Sequence, residues 1–196
     1  MIDNEKLEKI KVEARKRHIP VLQDKSLEVI ETILEIKKPK NILEVGTAVG
    51  FSALKFSKHL AEDGKIITME LNEEMFKEAV ENIKAFNMEN VISVVHTDAY
   101  EYMKTLNEPF DVIFIDAAKG QYIKYLEQAL RLTHKGSVII ADNVLLRGMV
   151  LGGYNEHKHR TAVTRLREYI DIVTKNEYLQ TTVLDVGDGV AISCVK

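Results

Sequence analysis

The chain has 196 residues, a formal net charge of −3 and a hydrophobic fraction of 45%, a composition typical of ordinary globular proteins. No apolar run approaches the roughly 18 residues that a membrane span needs, and the charged N-terminus lacks the apolar segment of a secretion signal. The single cysteine, Cys194, excludes an intramolecular disulfide. We expect Cys194 to be buried, in a cytoplasmic protein made of one domain over residues 1–196.

Two helices are predicted before the first strand. Residues 3–17 place Leu7, Ile10 and Ala14 on one face, and Pro20 separates this helix from the next, because proline disfavours helix in the residue before it. The second helix ends at Lys38-Pro39-Lys40. We expect residues 1–38 to cover the functional site.

Strands and helices then alternate to the end of the chain. Predicted strands lie at 42–45, 66–69, 91–95, 110–115 and 136–141, and two more lie near 179–186 and 190–195. The last two are joined by Gly187-Asp188-Gly189, a hairpin signal that predicts antiparallel pairing. The pattern predicts an α/β, Rossmann-like, doubly wound and mostly parallel seven-stranded sheet, with helices on both faces and ligands at the carboxyl ends of its strands.

A glycine turn follows the first strand. Gly46 and Gly50 lie before a predicted helix, where the backbone must bend sharply or approach a ligand, although a purely structural turn is the alternative. Glu70 ends the next strand, 20 residues beyond Gly50, where a carboxylate can accept hydrogen bonds from ribose hydroxyls. Ala48 and Phe51 occupy two positions where the NAD-binding pattern needs glycine. The pattern E-x-G-x-x-x-G resembles that of class I S-adenosylmethionine-dependent methyltransferases.

Acidic and amide side chains follow the other strands. Asp98 follows the third strand, where capping a helix is as good an interpretation as binding a ligand. Asp116 follows the fourth strand, and Asp142 and Asn143 follow the fifth. Two carboxylates and an amide oxygen suit Mg²⁺, Mn²⁺ or Ca²⁺, whereas the alternative is that Asp142 and Asn143 only shape a turn.

Four segments together resemble one family. They are E-V-G-T-A-V-G-F-S (44–52), I-D-A-A-K-G-Q-Y (115–122), A-D-N-V (141–144) and G-D-G (187–189). They are similar to segments of the cation-dependent O-methyltransferases, which include catechol and caffeoyl-coenzyme A methyltransferases and their bacterial relatives. The resemblance extends from about residue 18 to the end of the chain and is strongest to bacterial tRNA 5-hydroxyuridine methyltransferases.

The resemblance implies an enzyme with a role for each matching residue. Lys119 and Asp116 would be catalytic, and Mg²⁺, Mn²⁺ or Ca²⁺ would be bound by Asp116, Asp142 and Asn143. The residues that would bind S-adenosylmethionine are Leu22, Gly46, Ser52, Glu70, Asp98, Ala99 and Asp116. Lys119 would remove the proton from a substrate hydroxyl or stabilise the resulting oxyanion. Relatives are often homodimers, so a homodimer is expected.

The substrate expected from the resemblance is 5-hydroxyuridine at the tRNA wobble position, which would become 5-methoxyuridine. Its 5-hydroxyl and 4-carbonyl oxygens are adjacent, as in a catechol. The anticodon loop would contact two groups of basic residues. They are Lys6, Lys9, Lys11, Arg15, Lys16 and Arg17 in the first helix and Arg147, Lys158, Arg160, Arg165 and Arg167 later in the chain.

Two other functions remain open. One is methylation of small catechol-like or phenolic compounds, although Ala48, Ala117 and Ala118 differ from the animal catechol enzymes. The other is a non-catalytic nucleotide-binding domain on the same fold, since fold does not fix function. His157 and His159 are interpreted as loop residues and not as metal ligands.

Overall fold

Short apolar runs form seven strands, and amphipathic segments form seven α-helices, in the part of the chain that the structure describes. The structure is a computed structural model that describes residues 2–146, 148–152 and 160–196. The helices are α1 (Asn4–Lys16), α2 (Asp24–Lys37), α3 (Phe51–Phe56), α4 (Glu73–Ala85), α5 (Ala99–Thr105), α6 (Tyr122–Arg131) and α7 (Arg160–Lys175). The strands are β1 (Asn41–Val45), β2 (Lys65–Glu70), β3 (Ile92–His96), β4 (Phe110–Ile115), β5 (Thr133–Asp142), β6 (Leu179–Leu184) and β7 (Val190–Val195).

The strands form one sheet in the order β3-β2-β1-β4-β5-β7-β6. The first five pair in parallel, and β7 pairs antiparallel with both β5 and β6. The predicted Rossmann-like sheet with a C-terminal antiparallel hairpin is therefore confirmed. The order reverses at β1 and β4, so the loops that follow these two strands diverge and leave a crevice between them.

Two apolar clusters cover the two faces of the sheet. Ile42 and Phe114 belong to the cluster beneath α1, α2 and α3, whereas Leu43 and Ile113 belong to the cluster beneath α6 and α7. Neighbouring strand residues therefore enter opposite cores, which is the period of two that a strand imposes. None of the helices in the described ranges is both long enough and apolar enough to pass through a bilayer.

The C-terminal hairpin also fixes the loop that follows β5. The backbone N–H of Val144 donates to Gly189 O at 3.0 Å, and that of Leu145 donates to Asp188 O at 2.9 Å. Gly189 has φ +90°, and a Cβ added to it would lie 2.3 Å from Leu145 Cγ. Only glycine permits this close approach of the hairpin turn to the loop.

The prediction that Cys194 is buried is wrong, because its side chain is exposed. Along β7, Val190, Ile192 and Cys194 point to one face of the sheet. Val190 is buried, Ile192 is partly buried and Cys194 is exposed. The residues that pack on this face of β7 therefore do not extend to the end of the strand.

Candidate active site

A cavity of about 660 Å³ opens at the carboxyl ends of the parallel strands. Residues 18–22, between α1 and α2, line one side of it. The cavity brings together most of the residues that the sequence predicts for the site: Leu22, Gly46, Ser52, Glu70, Asp98, Ala99, Asp116, Lys119 and Asn143. Asp142 is almost fully buried, with 1% of its surface exposed, and does not line the cavity.

The glycine turn after β1 is held against the end of β4. Gly46 has φ +98°, and a Cβ added to it would lie 2.2 Å from the backbone oxygen of Asp116. Gly50 has φ +81° at the start of α3. Both glycines adopt a conformation that other residues reach only with strain, and Gly46 also lacks space for a side chain. The turn can therefore expose its backbone to a ligand in the cavity.

Glu70 is fixed by the backbone on both sides. Its Oε2 accepts a hydrogen bond from the N–H of Ala48 at 2.8 Å, and its Oε1 accepts one from the N–H of Asn72 at 2.8 Å. Each carboxylate oxygen can accept more than one hydrogen bond. The carboxylate is thus held in place and can still accept hydrogen bonds from two neighbouring hydroxyls.

Asp98 and Ala99 lie at the start of α5. Asp98 Oδ1 accepts a hydrogen bond from the N–H of Glu101 at 3.0 Å, so the helix-capping interpretation of this residue is confirmed. Capping uses one of its two oxygens, and both residues line the cavity. The cap therefore leaves a binding role possible.

Lys119 bonds to two residues at the other side of the cavity, and one of these bonds to a third. Its Nζ donates to Asp116 Oδ1 at 2.8 Å and to the Tyr122 hydroxyl at 2.9 Å. The same hydroxyl donates to the backbone oxygen of Asp142 at 2.8 Å. Lys119 itself is largely buried, with 19% of its side chain exposed. An amine and a carboxylate are therefore held side by side in a partly dehydrated position.

The Asp142 carboxylate is only partly compensated by the protein. Its Oδ2 accepts a hydrogen bond from Asn143 Nδ2 at 2.8 Å, whereas its buried Oδ1 has no partner. Burial, together with the nearby Asp116 carboxylate, raises the pKa of Asp142 to about 7. A buried oxygen without a partner and two carboxylates in mutual repulsion are what a bound divalent cation would relieve.

The residue types also fit such a cation. The two carboxylates and the Asn143 amide oxygen are hard ligands of the kind that Mg²⁺ prefers. Within the described ranges, no group of three or more His, Cys, Asp or Glu side chains is placed to hold a metal. The predicted set contains only two such side chains, and its third member is an amide.

The sequence predicts no specific role for two polar residues of the site. Glu44, on β1 beneath the glycine turn, is fully buried, and burial raises its pKa to about 7 while the hydroxyls of Ser52 and Thr68 oppose the shift. Neither of its oxygens makes a hydrogen bond of ordinary geometry. Tyr122 ends the family-like segment 115–122, but no role was predicted for it. Its spacing of three residues from Lys119 was the signal available, because that spacing places two residues on one face of a helical turn.

Some residues of the expected RNA contact are outside the described part of the chain, namely Arg147 and Lys158. His157 and His159 lie outside it as well. Most of the other basic residues that were expected to contact RNA form ion pairs or hydrogen bonds within the protein. Arg17 pairs with Glu78 at 2.8 Å, and Arg167 donates to the backbone oxygen of Val150 at 2.9 Å. Further ion pairs hold Lys11, Arg15, Lys16 and Arg165.

The parallel sheet, its C-terminal hairpin and the strand-end cavity define a Rossmann-like methyltransferase fold. A sequence model of the family described as O-methyltransferase matches residues 3–196, and the chain belongs to this family. The predicted class of enzyme is therefore confirmed.

Individual relatives agree with this assignment. A catechol O-methyltransferase from Niastella koreensis is 33% identical over 176 residues, which cover 85% of this chain and 78% of that protein. The crystal structure of a candidate caffeoyl-CoA O-methyltransferase from Staphylococcus aureus has a TM-score of 0.90 and 31% identity, over 97% of this chain and 92% of that one. An O-methyltransferase from Bacillus cereus in complex with SAH has a TM-score of 0.87 and 27% identity, over 99% and 92% of the two chains.

Proposed function

We propose that the protein transfers a methyl group from S-adenosylmethionine to a hydroxyl of a small phenolic compound that carries a second oxygen next to it. One observation carries the proposal: a single cavity joins the glycine turn and the fixed Glu70 carboxylate to Lys119 and Asp116. A binding site for a nucleoside and a basic amine beside a carboxylate therefore share one space. This is what a transfer between two bound molecules requires.

The cofactor would lie along the side formed by β1, β2 and α5. Glu70 would accept hydrogen bonds from the ribose hydroxyls, and Asp98 with the Ala99 amide would bind the adenine. Gly46, Ser52 and Asp116 would bind the methionine end, with Leu22 as an apolar wall. The chemistry that S-adenosylmethionine supplies is a methyl group on a positively charged sulfur, which the residues of the turn orient but do not modify.

A divalent cation would be held by Asp116, Asp142 and Asn143. Its chemistry would be to lower the pKa of a bound hydroxyl and to orient the two adjacent oxygens of the substrate. With Lys119 charged and both carboxylates ionised, the three groups carry one net negative charge. The site therefore retains a negative charge that favours a cation, and Mg²⁺ is the ion that we propose.

Lys119 would handle the proton. As a neutral amine, its Nζ would take the proton from the substrate hydroxyl, which breaks the O–H bond and forms an N–H bond. As an ammonium, it would not take the proton, which would pass to solvent water, but it would stabilise the resulting oxyanion by a hydrogen bond in a position that water reaches poorly. In both cases the phenolate oxygen would form a bond to the methyl carbon as the bond from that carbon to sulfur breaks, and the sulfur would keep the electron pair.

Small phenols are favoured over tRNA by two observations. The Niastella relative carries the name of a catechol enzyme. In addition, the basic residues that were expected to contact phosphates are largely paired within the protein, so the positive surface available to RNA is reduced. Methylation of 5-hydroxyuridine in tRNA stays a prediction, as do the homodimer and the cytoplasmic location.

The test offers labelled S-adenosylmethionine and Mg²⁺ with either a panel of catechols or hydroxyuridine-containing tRNA. We expect label in a catechol. Lys119→Ala should lower the rate by about 10²- to 10⁴-fold, the usual contribution of a positioned acid or base. Lys124→Ala, an exposed lysine of α6, is the matched control and should keep the full rate. Label in tRNA alone would contradict the proposal.

A further inference from the structure

The amine of Lys119 needs an external constraint if it is to act at one position. A lysine side chain has four flexible carbon–carbon bonds and a compact charge that rotates freely. Here the Nζ donates to Asp116 Oδ1 at 2.8 Å and to the Tyr122 hydroxyl at 2.9 Å. Asp116 is a candidate metal ligand, so its oxygens serve two partners. The Tyr122 hydroxyl is the constraint that does not take part in metal binding.

Tyr122 is itself rigidly held. It is fully buried at the first position of α6, and its ring packs edge-on against Tyr169 with the ring centres 5.6 Å apart. Its hydroxyl has one proton, and the neighbouring backbone oxygens of Asp142 at 2.8 Å and Ile115 at 3.4 Å can only accept it. The contact with Lys119 must therefore be a bond that the lysine donates, and its direction is fixed.

The number of N–H bonds on the Lys119 amine then determines the direction in which it can still interact with a bound molecule. A neutral amine has two N–H bonds, and the Asp116 carboxylate and the Tyr122 hydroxyl accept both. Its lone pair is left directed away from these two acceptors. An ammonium in the same place has a single N–H bond left for that direction. Lys119 lines the cavity, so either form has one bonding direction left for a molecule bound there.

We propose that Tyr122 is a positioning residue for methyl transfer: its hydroxyl links the Lys119 amine to the backbone of Asp142, and so orients the amine toward the substrate oxygen. The inference rests on the proposed function, in which Lys119 acts on that oxygen. Because Asp142 ends β5 and Lys119 follows β4, the hydroxyl also ties the ends of two neighbouring strands. Removing it should leave substrate and cofactor binding intact and impair the step that depends on the amine.

The chain offers a matched pair of variants. Tyr122→Phe removes the linking hydroxyl, whereas Tyr169→Phe removes a hydroxyl from an equally buried ring whose oxygen has no partner. Steady-state kinetics of the full chain with Mg²⁺ and a catechol that the unmodified enzyme methylates should show kcat lowered by about 10- to 100-fold in Tyr122→Phe, the usual result of misplacing a reacting group. Both KM values, and SAH affinity by calorimetry, should stay within about two-fold. Tyr169→Phe should match the unmodified enzyme in kcat.

A double-mutant cycle with Lys119→Ala separates positioning from a general structural effect. If Tyr122 acts through Lys119, the variant that carries both changes should be no slower than Lys119→Ala alone. If the two losses multiply, Tyr122 is only structural and the inference is overturned; full kcat in Tyr122→Phe overturns it as well. Absence of methyl transfer to any phenol by the unmodified enzyme would instead overturn the proposed function, and this inference with it.

Discussion

The two sides of the strand-end cavity differ in how far the protein satisfies its own charges. On the side of β1 and β2, the Glu70 carboxylate accepts two backbone N–H groups and is fixed without a ligand. On the side of β4 and β5, Asp142 retains a buried oxygen without a partner, and burial together with the nearby Asp116 carboxylate raises its pKa. The first side is preorganised by the chain alone, whereas we propose that a bound cation stabilises the second side.

Removal of the Asp142 carboxylate is the strongest test of this difference between the two sides of the cavity. We expect Asp142→Ala to abolish the stimulation of methyl transfer by Mg²⁺, a loss of at least about 100-fold, because catalytic metals contribute several kcal/mol. The rate would be measured against Mg²⁺ concentration after treatment with a chelator. Asp111→Asn changes a carboxylate at the opposite end of β4, where it accepts backbone N–H groups, and should keep the stimulation. Full activity of the chelator-treated, unmodified enzyme would exclude the metal site.

Glu44 tests whether the burial of charge near the cavity costs stability. Its pKa rises from 4.5 to about 7 on folding, so the folded protein keeps a proton that the unfolded chain releases. The contribution of this carboxyl to the free energy of unfolding is therefore fully present below about pH 4.5, and it is lost as the pH rises to about 7. Glu44→Gln cannot lose this proton, and its advantage over the unmodified protein should grow from near zero at pH 4.5 to about 3 kcal/mol at pH 8.

The measurement is chemical denaturation of chelator-treated protein across this pH range. Taking the difference between the two proteins removes the titration of all other groups, including Asp142. An advantage for Glu44→Gln that does not change with pH would show that the carboxyl is not titrating between pH 4.5 and 7.

The preorganised side should show the smallest effect. Glu70→Ala should weaken the binding of SAH by about 1–3 kcal/mol, the usual loss for hydrogen bonds to a charged group. Calorimetry would measure the affinity, and Glu73→Ala would serve as the control, because Glu73 is an exposed residue that pairs with Lys77. Equal SAH affinity in Glu70→Ala and the unmodified protein would remove Glu70 from the cofactor site.

The fold was predictable because its signals are local. The alternation of strand and helix patterns and the Gly187-Asp188-Gly189 turn are each visible within a few residues, and together they predict the observed sheet. The exposure of Cys194 was not predictable in this way. It depends on where helices from a different part of the chain stop covering one face of β7, and a short apolar run carries no information on that.

The candidate site was predictable at its acidic strand ends but not in its internal bonds. Since parallel strands end at one edge of the sheet, the meeting of Asp116 with Asn143 at the cavity follows from their positions in the sequence. The link from Lys119 through Tyr122 to the Asp142 backbone does not, because it depends on how α6 rotates against β5. The internal pairing of Arg17 with Glu78 also needed the structure, since the two residues are far apart in the sequence.

The contact between the hairpin turn and the loop after β5 bears on the order in which the enzyme folds. Val144 and Leu145 are anchored by Asp188 and Gly189, which come much later in the sequence, and such distant contacts form late because the loop between them must first be closed. The Glu70 carboxylate, in contrast, is fixed by the N–H groups of Ala48 and Asn72, which are much closer to it in the sequence. In a refolding experiment, SAH binding is therefore expected to return before methyl transfer does.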